Sequence, residues 1–186
     1  MQNYVALGGR LAIICAVVAL VLGLVNAVTA PVIEQNRQEE REESLRRVLG
    51  DREVGDREEV PKTEHEVVRA FYPVGRGGTG AGSYVLELTG QGYGGEMRIF
   101  AEVRSDGEIA GAVLRENSET REFGGRAENP DYMERTFVGT GAERAVPTTK
   151  GALEDEEAEA VSGATITFRG IGEALAAGSR FVEERL

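Results

Sequence analysis

Ser162-Gly163-Ala164-Thr165-Ile166-Thr167 sets three small residues ahead of a hydroxyl, at the entrance to an amphipathic run. Small side chains let the backbone approach whatever lies opposite, and a helix entrance offers N–H donors to a phosphate group. The same residues also fit a plain cap, with Thr167 or Thr165 closing a helix from Phe168 onward. Gly75-Arg76-Gly77-Gly78-Thr79-Gly80 matches GxGxxG letter for letter, but it follows Pro73 and precedes a strand. The helix N-terminus that holds a pyrophosphate is therefore missing, and the segment reads as a loop. Asn117-Ser118-Glu119-Thr120 reads, on its residues alone, as a polar turn. Other chemistries are limited by what the chain lacks. His65 is its only histidine and Cys15 its only cysteine, against His-cluster metal sites, a Ser-His-Asp triad, an intrachain disulfide, a CxxC pair and cysteine-based zinc. Redox or transfer chemistry here has to be borrowed from a cofactor.

The elements that would position these residues follow from patterning over 186 residues, enough for one domain and an appendage. Leu11 to Ile33 is free of charge and long enough to cross a bilayer with some tilt. A cleaved signal is the other reading, but signal cores run shorter and Pro31 stands where the mature chain would begin. Within the span, Cys15 reads as a small apolar residue and Asn26 as a helix–helix contact. Glu34 to Leu49 carries Glu-to-Arg pairs such as Glu42 and Arg46, the pattern of a solvated helix continuing past Pro31. Gly50 to Lys62 repeats GDRE and reads as linker. The organisation is thus 1–33 anchor, 34–62 stalk and linker, and 63–186 folded domain.

That domain reads as α+β. Strands are predicted at Glu66–Tyr72, at Ser83–Thr89, through Met97, Ile99, Ala101 and Val103, and from Ile109 to Leu114 beyond a Ser105-Asp106-Gly107 turn. An antiparallel sheet with one polar face needs a helix on the other. Phe168–Arg185 supplies one, presenting Ile171, Leu175, Gly178 or Ser179, and Val182; a shorter helix is predicted over Asp131–Val138. Beyond residue 33 the chain carries 20 basic and 32 acidic residues. Such a polyanion disfavours nucleic acid and anionic lipid headgroups as partners.

Glu159-Ala160-Val161-Ser162-Gly163-Ala164-Thr165 resembles the covalent flavinylation motif Asp-x-x-Ser/Thr-Gly-Ala-Thr of FMN-binding domains, with Glu159 in place of the Asp. The resemblance implies FMN held through a phosphoester to Thr165, installed by a flavin transferase that uses FAD. Ser162, Gly163, Ala164 and Thr167 would flank the attachment, and Arg169 would stand beside the phosphodiester. Most of the chain is similar to the G subunit of the Rnf ion-translocating electron transport complex. The similarity runs through Leu24–Ile33, through Gly92-Tyr93-Gly94-Gly95 with its following strand, and through Asp106-Gly107. It implies that Tyr93, Gly94, Glu119 and Thr120 lie by the flavin, although Arg121-Glu122-Phe123-Gly124 departs from the family's loop.

By this resemblance the chain would carry electrons in a membrane-bound ferredoxin:NAD oxidoreductase coupled to Na+ or H+ movement, as a redox subunit with no turnover alone. Its partners would be membrane, iron–sulfur and flavin subunits. The domain would lie on the extracytoplasmic (periplasmic) side of the cytoplasmic membrane. A literal count of basic residues around the span gives the opposite side, but that count is small and interleaved with Glu. Residues 125–139 are also similar to the C subunit of the Na+-pumping NADH:quinone reductase. A signal-anchored module without redox chemistry remains the competing class, with Ser162–Thr167 as a cap alone.

Overall fold

A computed structural model describes residues 2–50, 52–75, 82–117, 127, 129–153 and 164–186. The chain divides into two compact units, Met1–Glu42 and Glu43–Leu186.

The first unit is helical, part of α1 (Gln2–Leu49). Within it Gly8–Asn36 is a candidate membrane span of 29 residues and mean hydropathy 2.8, none of it buried. At 1.5 Å per residue it exceeds a hydrocarbon core of about 30 Å. Leu11, Ile14, Leu20, Leu24 and Val28 all lie open around the helix. A water-soluble core helix would instead hide one apolar stripe. Pro31 sits inside the helix, which continues through it as the sequence reading anticipated. Proline lacks the N–H that would bond to the carbonyl four residues back, a loss that costs a helix stability. Cys15 is a free, exposed thiol.

The second unit is α+β. Its sheet has five antiparallel strands in chain order: β1 (Glu58–Glu59), β2 (Val68–Pro73), β3 (Ser83–Gln91), β4 (Glu96–Arg104) and β5 (Ile109–Glu116). Then come α2 (Pro130–Phe137), a 3-10 turn at Lys150–Ala152 and α3 (Thr165–Arg185). Alternation decides the faces. Tyr84, Leu86, Leu88, Met97, Ile99, Ala101 and Val103 point to one side and form the main core with Phe168, Ile171, Leu175, Phe181 and Val182 of α3. Met133 and Phe137 of α2 complete it. Asn129 accepts from the Asp131 N–H at the start of α2, and Pro130 occupies its first position. The β4–β5 turn closes through Gly107 at φ 84°, and the Ser179 hydroxyl donates to the Gly107 carbonyl at 2.8 Å. That bond ties α3 to the turn.

Two expectations change. The opposite face of the sheet is covered rather than water-facing: Tyr72, Val85, Phe100 and Val113 form a second cluster under Leu45, Val48, Val54 and Val74. The stretch read as linker is part of that cover. It holds β1, paired to β2, and the Val54–Val74 bridge. The GDRE repeat places Arg52 and Arg57 over the two carboxylates of this face. Arg52 grips Glu102, which also accepts from the Ser83 hydroxyl at 2.9 Å. Arg57 forks onto Glu87 at 3.0 and 3.1 Å, and Tyr72 donates its hydroxyl to the same carboxylate. Both guanidinium pKa values rise, chiefly through these hydrogen bonds. A charge repeat that looks solvated in one dimension thus satisfies buried carboxylates in three.

Candidate functional site

β3 ends, β4 begins and β5 ends at one edge of the sheet, because Thr89 pairs with Arg98 and Arg98 with Glu116. The β3–β4 turn, with Tyr93 and Gly94, projects from this edge, and the chain leaves β5 here three residues before Glu119. The first turns of α3 are pressed against the same edge. A Cβ on Gly170 would stand 2.0 Å from the Gln91 carbonyl oxygen, and one on Gly90 would stand 2.7 Å from the Gly170 carbonyl oxygen. Two glycines permit this crossing and no larger residue fits it. Sequence reasoning did not single them out; their signal was a glycine at the end of one strand and another in the first turns of the helix.

The helix begins at Thr165, three residues before the sequence reading placed it, with Ala164 at the N-cap and no side-chain cap bond. The capping role considered for Thr165 and Thr167 is therefore not realised. Both residues lie inside the helix, where burial of Phe168 and contact at Gly170 fix the register. The two hydroxyls also differ in access: Thr165 is exposed, whereas Thr167 is only 2% exposed. Arg169 is exposed one turn beyond Thr165, at the i+4 spacing that puts two residues on one stripe. Tyr93 is exposed on its turn, and Gly92 donates its N–H to the Gly95 carbonyl at 2.8 Å to close that turn. Ser162, Gly163, Glu119 and Thr120 lie outside the described residues, as do Arg76 to Gly80 of the GxGxxG match. No group of three or more His, Cys, Asp or Glu fit for a metal is present among the described residues.

An exposed threonine hydroxyl at the first position of a 21-residue helix fits a phosphate ester. The first N–H groups of a helix have no intrahelical acceptor, and its dipole favours negative charge there. The sequence profile of the FMN-binding domain matches residues 92–178, and that of the RnfG N-terminal region matches residues 3–48. The G subunit of the ion-translocating oxidoreductase complex of Cereibacter sphaeroides is 30% identical over 175 residues, covering 88% of this chain and 77% of that one. The chain belongs to the RnfG family.

Other family members extend the likeness. The G subunit of the Na(+)-translocating ferredoxin:NAD(+) oxidoreductase complex of Acetobacterium woodii is 28% identical, over 89% of this chain and 84% of its own. Its counterpart from the proton-translocating complex of Clostridium ljungdahlii is 25% identical, over 91% and 87%. In this RnfG-family chain, the matched region of the FMN-binding profile begins on the β3–β4 turn and ends within α3. It includes Gly170 and begins one residue after Gln91, on whose carbonyl Gly170 is seated.

Proposed function

We propose that the chain is a membrane-anchored flavoprotein subunit that carries electrons through FMN within an Rnf-type ferredoxin:NAD oxidoreductase coupled to Na+ or H+ translocation. The FMN is esterified through its phosphate to Thr165. The exposed Thr165 hydroxyl at the start of α3, inside the FMN-binding match and opposite a buried Thr167, carries this reading. FMN supplies the redox chemistry when bound, and the protein supplies attachment, orientation and electrostatics. Thr165 holds the phosphate at the positive end of the helix, with Arg169 one turn away as a neutralising cation. Esterification leaves the phosphate a monoanionic diester, which suits a chain of net charge −11. Tyr93 and Gly94 from the turn, Glu119 and Thr120 beyond β5, and Ser162, Gly163 and Ala164 before the helix complete the surroundings. No general acid or base is required, in keeping with the single histidine.

Residues 1–33 anchor the chain, and the folded unit from Glu43 onward carries the flavin on the extracytoplasmic side. A flavin transferase performs the maturation, and the other subunits of the complex exchange electrons with the carrier. The deciding experiment is the intact mass of the chain produced in its own membrane with an active transferase. An increment of FMN less one water, lost in Thr165→Val, is the expected result. An unmodified wild-type chain would overturn the reading and leave residues 162–167 a helix entrance alone.

A further inference from the structure

The two edges of the sheet end differently. At one, β1 presents two exposed glutamates, a short charged strand of the kind that discourages further pairing. At the other, β5 runs from Ile109 to Leu114 without a charge. Its outer side is engaged at the start, where Ile109 donates its N–H to the Thr140 carbonyl at 2.8 Å and its carbonyl accepts from Gly139 at 2.9 Å. Ile109 lies opposite Val103, Ala112 opposite Ala101 and Leu114 opposite Ile99, alternate positions of β4. All three therefore turn their backbone groups away from β4. Those of Ala112 and Leu114 meet no backbone partner among the described residues. Register shifts at both ends confine this open run to a few residues.

The same edge lines a groove of about 450 Å³. Ala110, Gly111 and Ala112 are too small to fill it; Val48 borders it on one side, and Glu134 of α2 with Val138 just beyond it on the other. Farther along the strand, Arg115 pairs with Glu43 at 3.3 Å, yet its buried Nε–H has no acceptor among the described residues. A buried donor needs an acceptor to offset its lost hydration. Outward N–H and C=O groups, followed by an orphan donor on the same strand, match the backbone of an extended chain. We propose that a short extended segment of a neighbouring subunit pairs with β5 as a sixth strand, setting apolar side chains against Val48 and Val138 and a basic one beside Glu134. The inference rests on the reading that the chain works within a multi-subunit complex. Charge selects against a second copy as the occupant. Pairing β5 with itself would bring together two chains of net charge −11, each with Glu134 at the groove.

The test compares the full chain alone in detergent with the complex purified from its own membrane. Hydrogen exchange resolved to single residues is read at Ala112 and Leu114, where pairing should slow it about tenfold or more in the complex. A photoreactive benzoylphenylalanine in place of Val138 should link, in the membrane, to one extended stretch of another subunit, identified by mass spectrometry. Ala112→Pro removes an outward N–H and none from the β4 ladder, so it should cut that link about fivefold while circular dichroism stays that of the wild type. Glu134→Lys should weaken the link as well; if the proline variant fails to fold, the wild-type exchange and Glu134→Lys decide. Unchanged exchange at both residues in the intact complex would overturn the sixth strand. Links to a second copy of this chain would also overturn it, giving the groove to self-association. Absence of any other subunit from the purified material would instead overturn the reading of the chain as part of a complex, and this inference with it.

Discussion

Two threonines two residues apart meet different surroundings because a helix turns 100° per residue. Thr165 faces out at the first position of α3, and Thr167 faces in, 2% exposed. Thr167→Val should therefore keep the FMN mass increment and lower stability by about 1 kcal/mol, read by urea denaturation, as the buried hydroxyl loses its interactions. A variant mass without flavin would contradict this division. His65 is a second residue-scale case. Its Nδ1 accepts the N–H of Val67 at 3.2 Å and of Val68 at 3.0 Å, its ring meets Phe181 edge-on, and Arg185, Arg180 and Arg69 surround it along with Glu184. Partial burial, then these cations, hold its pKa below the ordinary value of 6.5. A base whose pKa is lowered by folding contributes fully above its unfolded pKa. Its contribution is lost as pH falls below about 6.5, where the unfolded chain takes up the proton first. His65→Asn keeps a short acceptor for the two N–H groups, so the loss of stability between neutral and mildly acidic pH should be shallower in the variant. Parallel slopes for both proteins would show that His65 does not contribute to it.

At the scale of elements, the crossing of α3 over the end of β3 fixes where the helix starts. Gly170→Ala sets a methyl group 2.0 Å from the Gln91 carbonyl, so the helix must move away. A loss of about 1–3 kcal/mol is expected, together with a lower flavinylated fraction, because Thr165 is carried on the displaced turns. Full stability and full flavinylation would show that the contact relaxes without moving Thr165. The segment over the opposite face works differently. Glu102 is nearly inaccessible, while the Arg52 side chain that grips it is about half exposed. Arg52→Met leaves the carboxylate with the Ser83 hydroxyl and part of its solvation cost, so about 1–2 kcal/mol should be lost. A double variant with Glu102→Gln should lose less than the sum of the singles. Strict additivity would mean the pair is not coupled.

For the whole molecule, the folded unit begins at Glu43, earlier than its first sheet strand. Leu45, Val48 and Val54 cover the second apolar cluster, and Arg52 and Arg57 hold two carboxylates beneath them. A fragment 43–186 should unfold cooperatively by circular dichroism, whereas 63–186 should be several kcal/mol less stable or fail to fold, having uncovered that face. Equal stability of the two fragments would contradict the role assigned to residues 43–62. Sidedness is tested on the intact chain. With Cys15→Ser, a cysteine at exposed Arg180 should react with an impermeant maleimide from the outer side of the membrane; labelling only after the membrane is opened would place the domain inside.

The residues alone determined a good deal. A charge-free run of bilayer length, period-two apolar strands, the Ser105–Gly107 turn and the buried stripe of α3 were legible because each depends on neighbours close in sequence. The resemblance to an FMN-bearing family rested in the same way on short contiguous motifs. Tertiary structure decided the rest, where the deciding contact is distant in sequence. The register of α3 is set by Gln91, nearly eighty positions before Gly170, so Thr165 and Thr167 turned out to be helix interior rather than caps. The GDRE repeat became the cover of a sheet face because its arginines meet Glu87 and Glu102, carboxylates that alternation alone assigns to water. Burying a charge is costly unless an opposite charge arrives with it, and which arginine arrives is a property of the folded chain.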